Sequence, residues 1–183
     1  SLPPNGIYVF YEKGELSHLG ASMVDRIVRI GTHKSDGRFP GRIRQHYGQV
    51  KSLRGNKNAS VFRKHVGSAL ISRDNPNDQR LKDWITQDGP TFLDIEEKVS
   101  LELRDKLTFV CFGVDTKDER LTIESGLIAL LAQFPLGSPS EKWLGKYATS
   151  PEIRRSGLWN TQHIGSTPLS VAQFARLGEL VRE

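Results

Sequence analysis

Cysteine is all but missing from this chain: its 183 residues include one, Cys111. A single thiol closes no internal disulfide, which excludes a disulfide-stapled scaffold, and it cannot support a thiolate zinc site. Long apolar stretches are also lacking. The longest unbroken run, Leu127 to Ala132, falls far short of the roughly 20 residues a membrane-spanning helix needs. The opening Ser-Leu-Pro-Pro has no charged stretch followed by an apolar core, so no secretion signal is read, and the expected location is cytoplasmic or nuclear. There is no internal repeat, no low-complexity tract and no linker that would split the chain. No Gly-rich loop joins a strand to a helix, which weighs against an enzyme acting on a small phosphorylated ligand.

What is present suits one folded domain over residues 1–183. Hydrophobic residues make up 37% of the chain and the mean hydropathy is −0.44, low but enough for a core. The formal net charge is +5, and its distribution says more than its total. From Arg26 to Lys64 there are eleven Lys and Arg against one acid, Asp36, whereas Asp74 to Asp105 holds nine acids and four bases. A dense positive field concentrates phosphate backbones and gives sequence-independent affinity through counterion release; the plainer alternative is a solvated surface. The residues expected to meet nucleic acid are Arg29, His33, Lys34, Arg38, Arg44, Lys51, Arg54 and Lys57. The stretch from Lys51 to Ser60, with its Gly and Asn, reads as a flexible basic loop.

Three segments have the β-branched and aromatic character of strands: Gly6 to Tyr11, Arg26 to Gly31 and Thr108 to Val114. Each carries apolar residues on both alternating faces, so the sheet is expected to be covered on both sides. Helices are predicted over Gly41 to Tyr47, Ser60 to Ile71, Gln79 to Thr86, Asp94 to Leu107 and Glu119 to Phe134. Asp118 is read as the cap of the fifth, and Thr167-Pro168 as the cap and first turn of a final helix running to Leu180. Leu136 to Gly165 is irregular, with short helical turns. The fold class is α/β, more narrowly α+β.

Two groups of residues stand out. Glu124 falls among Leu121, Leu127 and Ile128 on the apolar stripe of its helix, where an unpaired carboxylate is costly. It is read either as half of a structural ion pair or as the ligand of a hard divalent cation that keeps several waters. Arg42 and His46 are four apart on a short helix and point the same way, with Ile43 and Tyr47 on the packing face. Such a pair suits phosphate, a guanidinium fork holding charge beside an imidazole that moves a proton, or else it is a solvated face. The other histidines have no metal-cluster spacing, and Cys111 reads as a small core residue.

Together these pieces resemble the GIY-YIG nuclease superfamily. Gly6-Ile7-Tyr8 opens the first strand, and Arg29-Ile30-Gly31 ends the second where the family usually has Tyr-Ile-Gly. Arg42 to His46 resembles the Arg-x-x-x-His helix motif, Glu124 the metal-binding glutamate, and Asn160 in Gly157-Leu-Trp-Asn the late asparagine. The resemblance implies a small three-stranded antiparallel sheet flanked by helices. The core would span about residues 6–134, with a helical insertion at about 51–107 and an extension over 135–183 ending in a C-terminal helix.

The function it implies is DNA phosphodiester hydrolysis by in-line water attack, leaving 5′-phosphate and 3′-hydroxyl ends. Glu124 would hold one Mg²⁺ or Mn²⁺, Arg42 would clamp the transition state, and Tyr8 would be the general base. His46 would accept the phenolic proton or orient the ring. Arg29, standing where the second tyrosine is missing, would contact phosphate with His33 nearby, and Asn160 would bond the site or fix Glu124, or else serve only a turn. RNA stays open as a substrate, and cutting both strands would call for two copies or sequential nicks, so a homodimer stays open as well. The Tyr-to-Arg replacement motivates the alternative of a catalytically inactive nucleic-acid-binding module on the same fold.

Overall fold

The computed structural model describes residues 1–182. Strands β1 (Gly6–Leu19) and β2 (Ser22–Gly31) form an antiparallel hairpin turning at Gly20, whose φ of +61° suits the residue without a Cβ. Strand β3 (Leu107–Gly113) pairs antiparallel with the other edge of β1, giving the order β2-β1-β3. The hairpin is longer than the sequence predicts. Its outer half runs through Glu12-Lys-Gly-Glu15, where the ladder is interrupted between Tyr11 and Leu16 and the alternation of apolar residues fails.

Both faces of the sheet are covered, as the alternation predicts. Tyr8, Phe10 and Val28 point into one core with α1 (Phe39–Tyr47), α2 (Val61–Asp74), α3 (Arg80–Ile85) and α4 (Leu93–Lys106). Ile7, Val9 and Ile30 point into a second, against Ile123, Leu127 and Ile128 of α5 (Lys117–Gln133). Each such side chain contributes roughly 1.5–3 kcal/mol on burial. In α4 the predicted stripe of Ile95, Val99, Leu103 and Leu107 is buried throughout, and the helix passes directly into β3 at Leu107.

The rest of the chain is fastened to the sheet by buried polar groups. Glu12 accepts hydrogen bonds from the indole N–H groups of Trp143 (3.1 Å) and Trp159 (3.3 Å). Glu15 pairs with Arg26 at 2.7 Å and accepts from the Ser140 backbone N–H at 3.0 Å. These contacts hold the 3₁₀ turn Leu144–Tyr147 and helix α6 (Pro151–Ser156) on the first core.

Several local expectations are corrected. Helix α1 begins two residues early, because Phe39 is fully buried and Pro40 fits a first turn. Thr116, not Asp118, precedes α5; Asp118 lies in its first turn, where a carboxylate complements the helix dipole. The last helix, α7 (Val171–Leu180), is capped by Ser170 in a reciprocal capping box with Gln173, while Leu169 packs onto Gly126 of α5.

The segment from Lys51 to Ser60 is tied down rather than a free basic loop. Leu53 O accepts from Ser100 Oγ at 2.6 Å, and Glu96 accepts from the Lys57 N–H at 2.6 Å. Among the described residues no helix is long and apolar enough to cross a membrane.

Candidate active site

The C-terminal end of β2 is where helices on opposite faces of the sheet reach the same place. Tyr8 lies across from Gly31 in the ladder, and its ring passes over that glycine; a Cβ at position 31 would fall on the phenol. The ring is buried, but it borders a groove of about 570 Å³. Arg42 enters this groove from α1, Glu124 from α5, Arg29 and Thr32 from β2 and its exit, and Asn160 with His163 from the C-terminal extension.

Tyr8 Oη is 2.8 Å from His46 Nε2, and His46 Nδ1 is 2.9 Å from Ser60 Oγ. His46 is 1% exposed, so it backs Tyr8 from inside the core instead of sharing the open face of α1 with Arg42, a correction to the expected pairing. Burial, reinforced by Arg29, Arg42 and Arg63, holds its pKa well below the ordinary histidine value, and the ring is neutral near pH 7.

Glu124 accepts the Thr32 backbone N–H on Oε1 at 3.0 Å. Among the described residues it has no ion-pair partner within 4.0 Å, which removes the structural-pair reading. Desolvation raises its pKa, opposed in turn by Arg29, the Thr32 bond, His163 and Arg42. Leu121 and Ile128 line the groove beside it while Leu127 packs into the second core, so the stripe that draws attention to Glu124 runs from this opening into the interior. Arg42 spends one nitrogen on Ala59 O (3.1 Å) and Gln45 Oε1 (3.3 Å), and its other donors have no protein acceptor among the described residues.

Arg29 is 8% exposed: it donates to Trp159 O at 2.6 Å and stacks on Phe62, with Nε unpartnered. It therefore forms part of the groove wall. The break in register after Phe10–Arg29 leaves Val28 as an extra residue, so Val28 and Arg29 both face the first core.

Asn160 does not bond Glu124. Its amide accepts from Ile30 N–H (3.1 Å) and donates to Ile30 O (2.8 Å), while Trp159 N–H donates to Val28 O at 2.7 Å. Together they extend the sheet along the edge of β2 and fix the wall of the site. His33 is buried, held through Nε2 by Asn5 Oδ1 at 2.9 Å.

The expected nucleic-acid contacts divide. Lys34 and Arg38 are exposed on the groove rim, and Arg29 and His33 line it as buried residues. Arg44, Lys51 and Arg54 are exposed but do not line the groove. Lys57 is a correction: it is 1% exposed, donates to Asn58 Oδ1 and Thr86 O, and sits over Trp84. Arg26 and Arg63 are likewise spent on buried ion pairs with Glu15 and Glu96. Asp36, the only acid in the basic stretch, is bound by buried Arg120 at 2.6 Å, which leaves the rim positive.

Sequence reasoning misses Thr32 and His163. Thr32 acts through its backbone N–H, which leaves no side-chain signal. His163 has a left-handed φ of +66°, unusual for a non-glycine residue and the kind of strain that collects at functional sites. Cys111 is half-buried against the first core and its thiol is pushed up by burial, as befits a packing residue.

No group of three or more His, Cys, Asp or Glu among the described residues is arranged to hold a metal. What the groove offers is one desolvated carboxylate with an uncommitted oxygen, a donor set that fits a single hydrated hard cation rather than a fully caged one. A protein-family model described as a GIY-YIG domain matches residues 1–183. No curated protein and no solved structure matches the chain.

Proposed function

The chain belongs to the GIY-YIG domain family, a family of nucleases, and from that premise we propose that it is a divalent-metal-dependent endonuclease hydrolysing DNA phosphodiester bonds. The observation that carries this reading is the meeting of Tyr8 from β1, Arg42 from α1 and Glu124 from α5 around one basic groove. Glu124 would hold a single Mg²⁺ or Mn²⁺ ion, which when bound supplies a Lewis acid against the charge developing on the phosphate.

Arg42 points its free donors at the scissile phosphate, where they strengthen as the pentavalent transition state gains charge. Tyr8 is the general base for the attacking water. His46 Nε2, 2.8 Å from its oxygen, holds the phenol in place at the edge of the groove. His46 acts only through Tyr8, because the core seals it from substrate. Arg29 and Asn160 shape the wall: one lends its charge to the field around Glu124, the other locks the C-terminal extension to β2. Lys34 and Arg38 bind the flanking backbone without reading bases.

A decayed, binding-only domain is disfavoured by two features it would have no reason to keep. These are the Tyr8–His46 hydrogen bond and a desolvated Glu124 with no ion-pair partner among the described residues. Cutting both strands would take two copies or successive nicks.

The deciding experiment is plasmid nicking with Mg²⁺ or with EDTA, for wild type, Arg42→Ala and Glu124→Ala. Nicking that requires the metal and is lost in both variants is expected. Metal-independent cleavage, or full activity in Glu124→Ala, would sink the proposal.

A further inference from the structure

Ser60 has no part in the chemistry described so far, yet its hydroxyl is fully buried behind the general base. It meets two groups: His46 Nδ1 at 2.9 Å, and the Arg63 backbone N–H at 3.3 Å, for which it is the cap of α2. The Arg63 N–H can only donate, so it takes one Ser60 lone pair. His46, kept neutral by its burial beneath Arg29, Arg42 and Arg63, then has two tautomers to choose between.

If the hydrogen is on Nδ1, the ring donates to Ser60, and the serine hydrogen is left without an acceptor among the described residues in a site closed to water. If it is on Nε2, Ser60 donates to Nδ1, His46 donates to Tyr8 Oη, and every buried donor is matched. The hydrogen of Tyr8 then faces the groove, which is open. We infer that Ser60 is a positioning residue that fixes His46 as the Nε2–H tautomer, so that His46 donates to the Tyr8 oxygen and does not receive its proton.

The consequence for catalysis rests on the nuclease reading given above. A phenolate accepts the Nε2–H bond more strongly than a phenol does. The Tyr8 proton therefore leaves through the groove to solvent, Tyr8 O⁻ takes the proton of the attacking water, and His46 stays neutral throughout. Ser60 holds the ring in the one state that helps.

The tautomer is measured without any substrate. In two-bond ¹H–¹⁵N correlation spectra of the full chain, labelled at its five histidines, the His46 ring is assigned by its loss in His46→Gln. The Nε2–H pattern near pH 7 is expected, and the Nδ1–H pattern would overturn the inference. This arm needs only the wild-type fold. Ser60→Ala should mix the two tautomers and lower kcat at least about tenfold with little change in KM, since positioned acid–base groups are worth factors of about 100 or more. Ser60→Thr, which keeps the hydroxyl, should restore both. A Ser60→Ala protein with unaltered tautomer and kcat would refute the role. If the wild type cuts nothing, the nuclease reading fails, while the spectrum still decides the tautomer.

Discussion

The Tyr8 hydroxyl rests against the backbone of Gly31, in the space that a Cβ at position 31 would fill. The glycine that ends β2 is thus the floor on which the phenol reaches the groove. Gly31→Ala must push the ring off His46, and overpacking of this kind costs about 1–3 kcal/mol. Loss of plasmid nicking together with a lower urea midpoint is expected. Gly178 in α7 has open space around it, so Gly178→Ala serves as the control and should stabilise by about 1 kcal/mol through helix propensity. An active, unshifted Gly31→Ala protein would show that Tyr8 does not need its present position.

Gly31 also marks what is legible in the sequence. Gly6-Ile7-Tyr8 and Arg29-Ile30-Gly31 are legible through their resemblance to the family's motifs, Arg42 through helical spacing and Glu124 through its place on an apolar stripe; of these residues Tyr8, Arg29, Arg42 and Glu124 line one groove. The failures have physical causes. Lys57 and Arg63 look like surface charge because composition does not show that Glu96, more than thirty residues on, draws their segment inward. The outer half of the hairpin is hidden because Glu12 and Glu15 are turned inward to hold Trp143, Trp159 and Arg26. His46 looks like Arg42's companion by helical spacing, and only the packing of Tyr8 and Phe62 around it reveals a core residue.

Glu124 should weaken the protein that depends on it. Its folded pKa lies above the unfolded value of about 4.5, so its contribution is present while the carboxyl is protonated and is lost as pH rises through the folded value. Glu124→Gln keeps an oxygen for the Thr32 N–H and mimics the protonated form. Near pH 4 the variant and wild type should melt together; near pH 8 the variant should melt higher while nicking no DNA. Calorimetry at the two pH values tests this, and a lower melting temperature at pH 8 would mean that Glu124 is a stabilising structural group.

The two kinds of basic residue predict two kinds of defect. Lys34→Ala and Arg38→Ala should each weaken duplex binding across sequences and reduce the slope of log affinity against log salt by about 1. Lys57→Ala should leave that slope alone and lower the melting temperature, because it empties a buried position over Trp84. Fluorescence anisotropy over a salt series separates the two. A salt slope that falls for Lys57→Ala and stays fixed for Arg38→Ala would mean the groove is not the binding face.

Arg63 and Glu96 form the tie beneath the site. The guanidinium pairs with Glu96 at 2.6 Å, donates to His46 O at 2.9 Å, and is fully buried. Removing one partner leaves the other charge stranded, so Glu96→Ala should cost about 3–5 kcal/mol, whereas the apolar double variant Arg63→Met with Glu96→Leu should cost less than that single change. Urea denaturation of the three proteins checks it; a double variant weaker than Glu96→Ala would mean that Arg63's bonds to backbone carbonyls outweigh the relief of its charge.

His65 gives a clear pH signature and does not itself line the groove. It is half-buried, near Arg29 and Lys64, and desolvation first and those cations second push its pKa down to about 4. An unfolded histidine titrates near 6.5, so below that pH the unfolded chain takes up a proton that the native ring refuses. The stability tied to His65 is thus complete above about pH 6.5 and is lost as pH falls toward 4. His65→Gln does not titrate in this range. Its stability relative to wild type should rise over that window, by about 3 kcal/mol in all at 1.36 kcal/mol per unit. Taking the difference between variant and wild type cancels His33 and His46, whose lowered pKa values tilt both curves alike. Urea midpoints measured from pH 7.5 to about 4 should diverge on the acid side only; parallel curves would mean that His65 protonates freely in the folded protein.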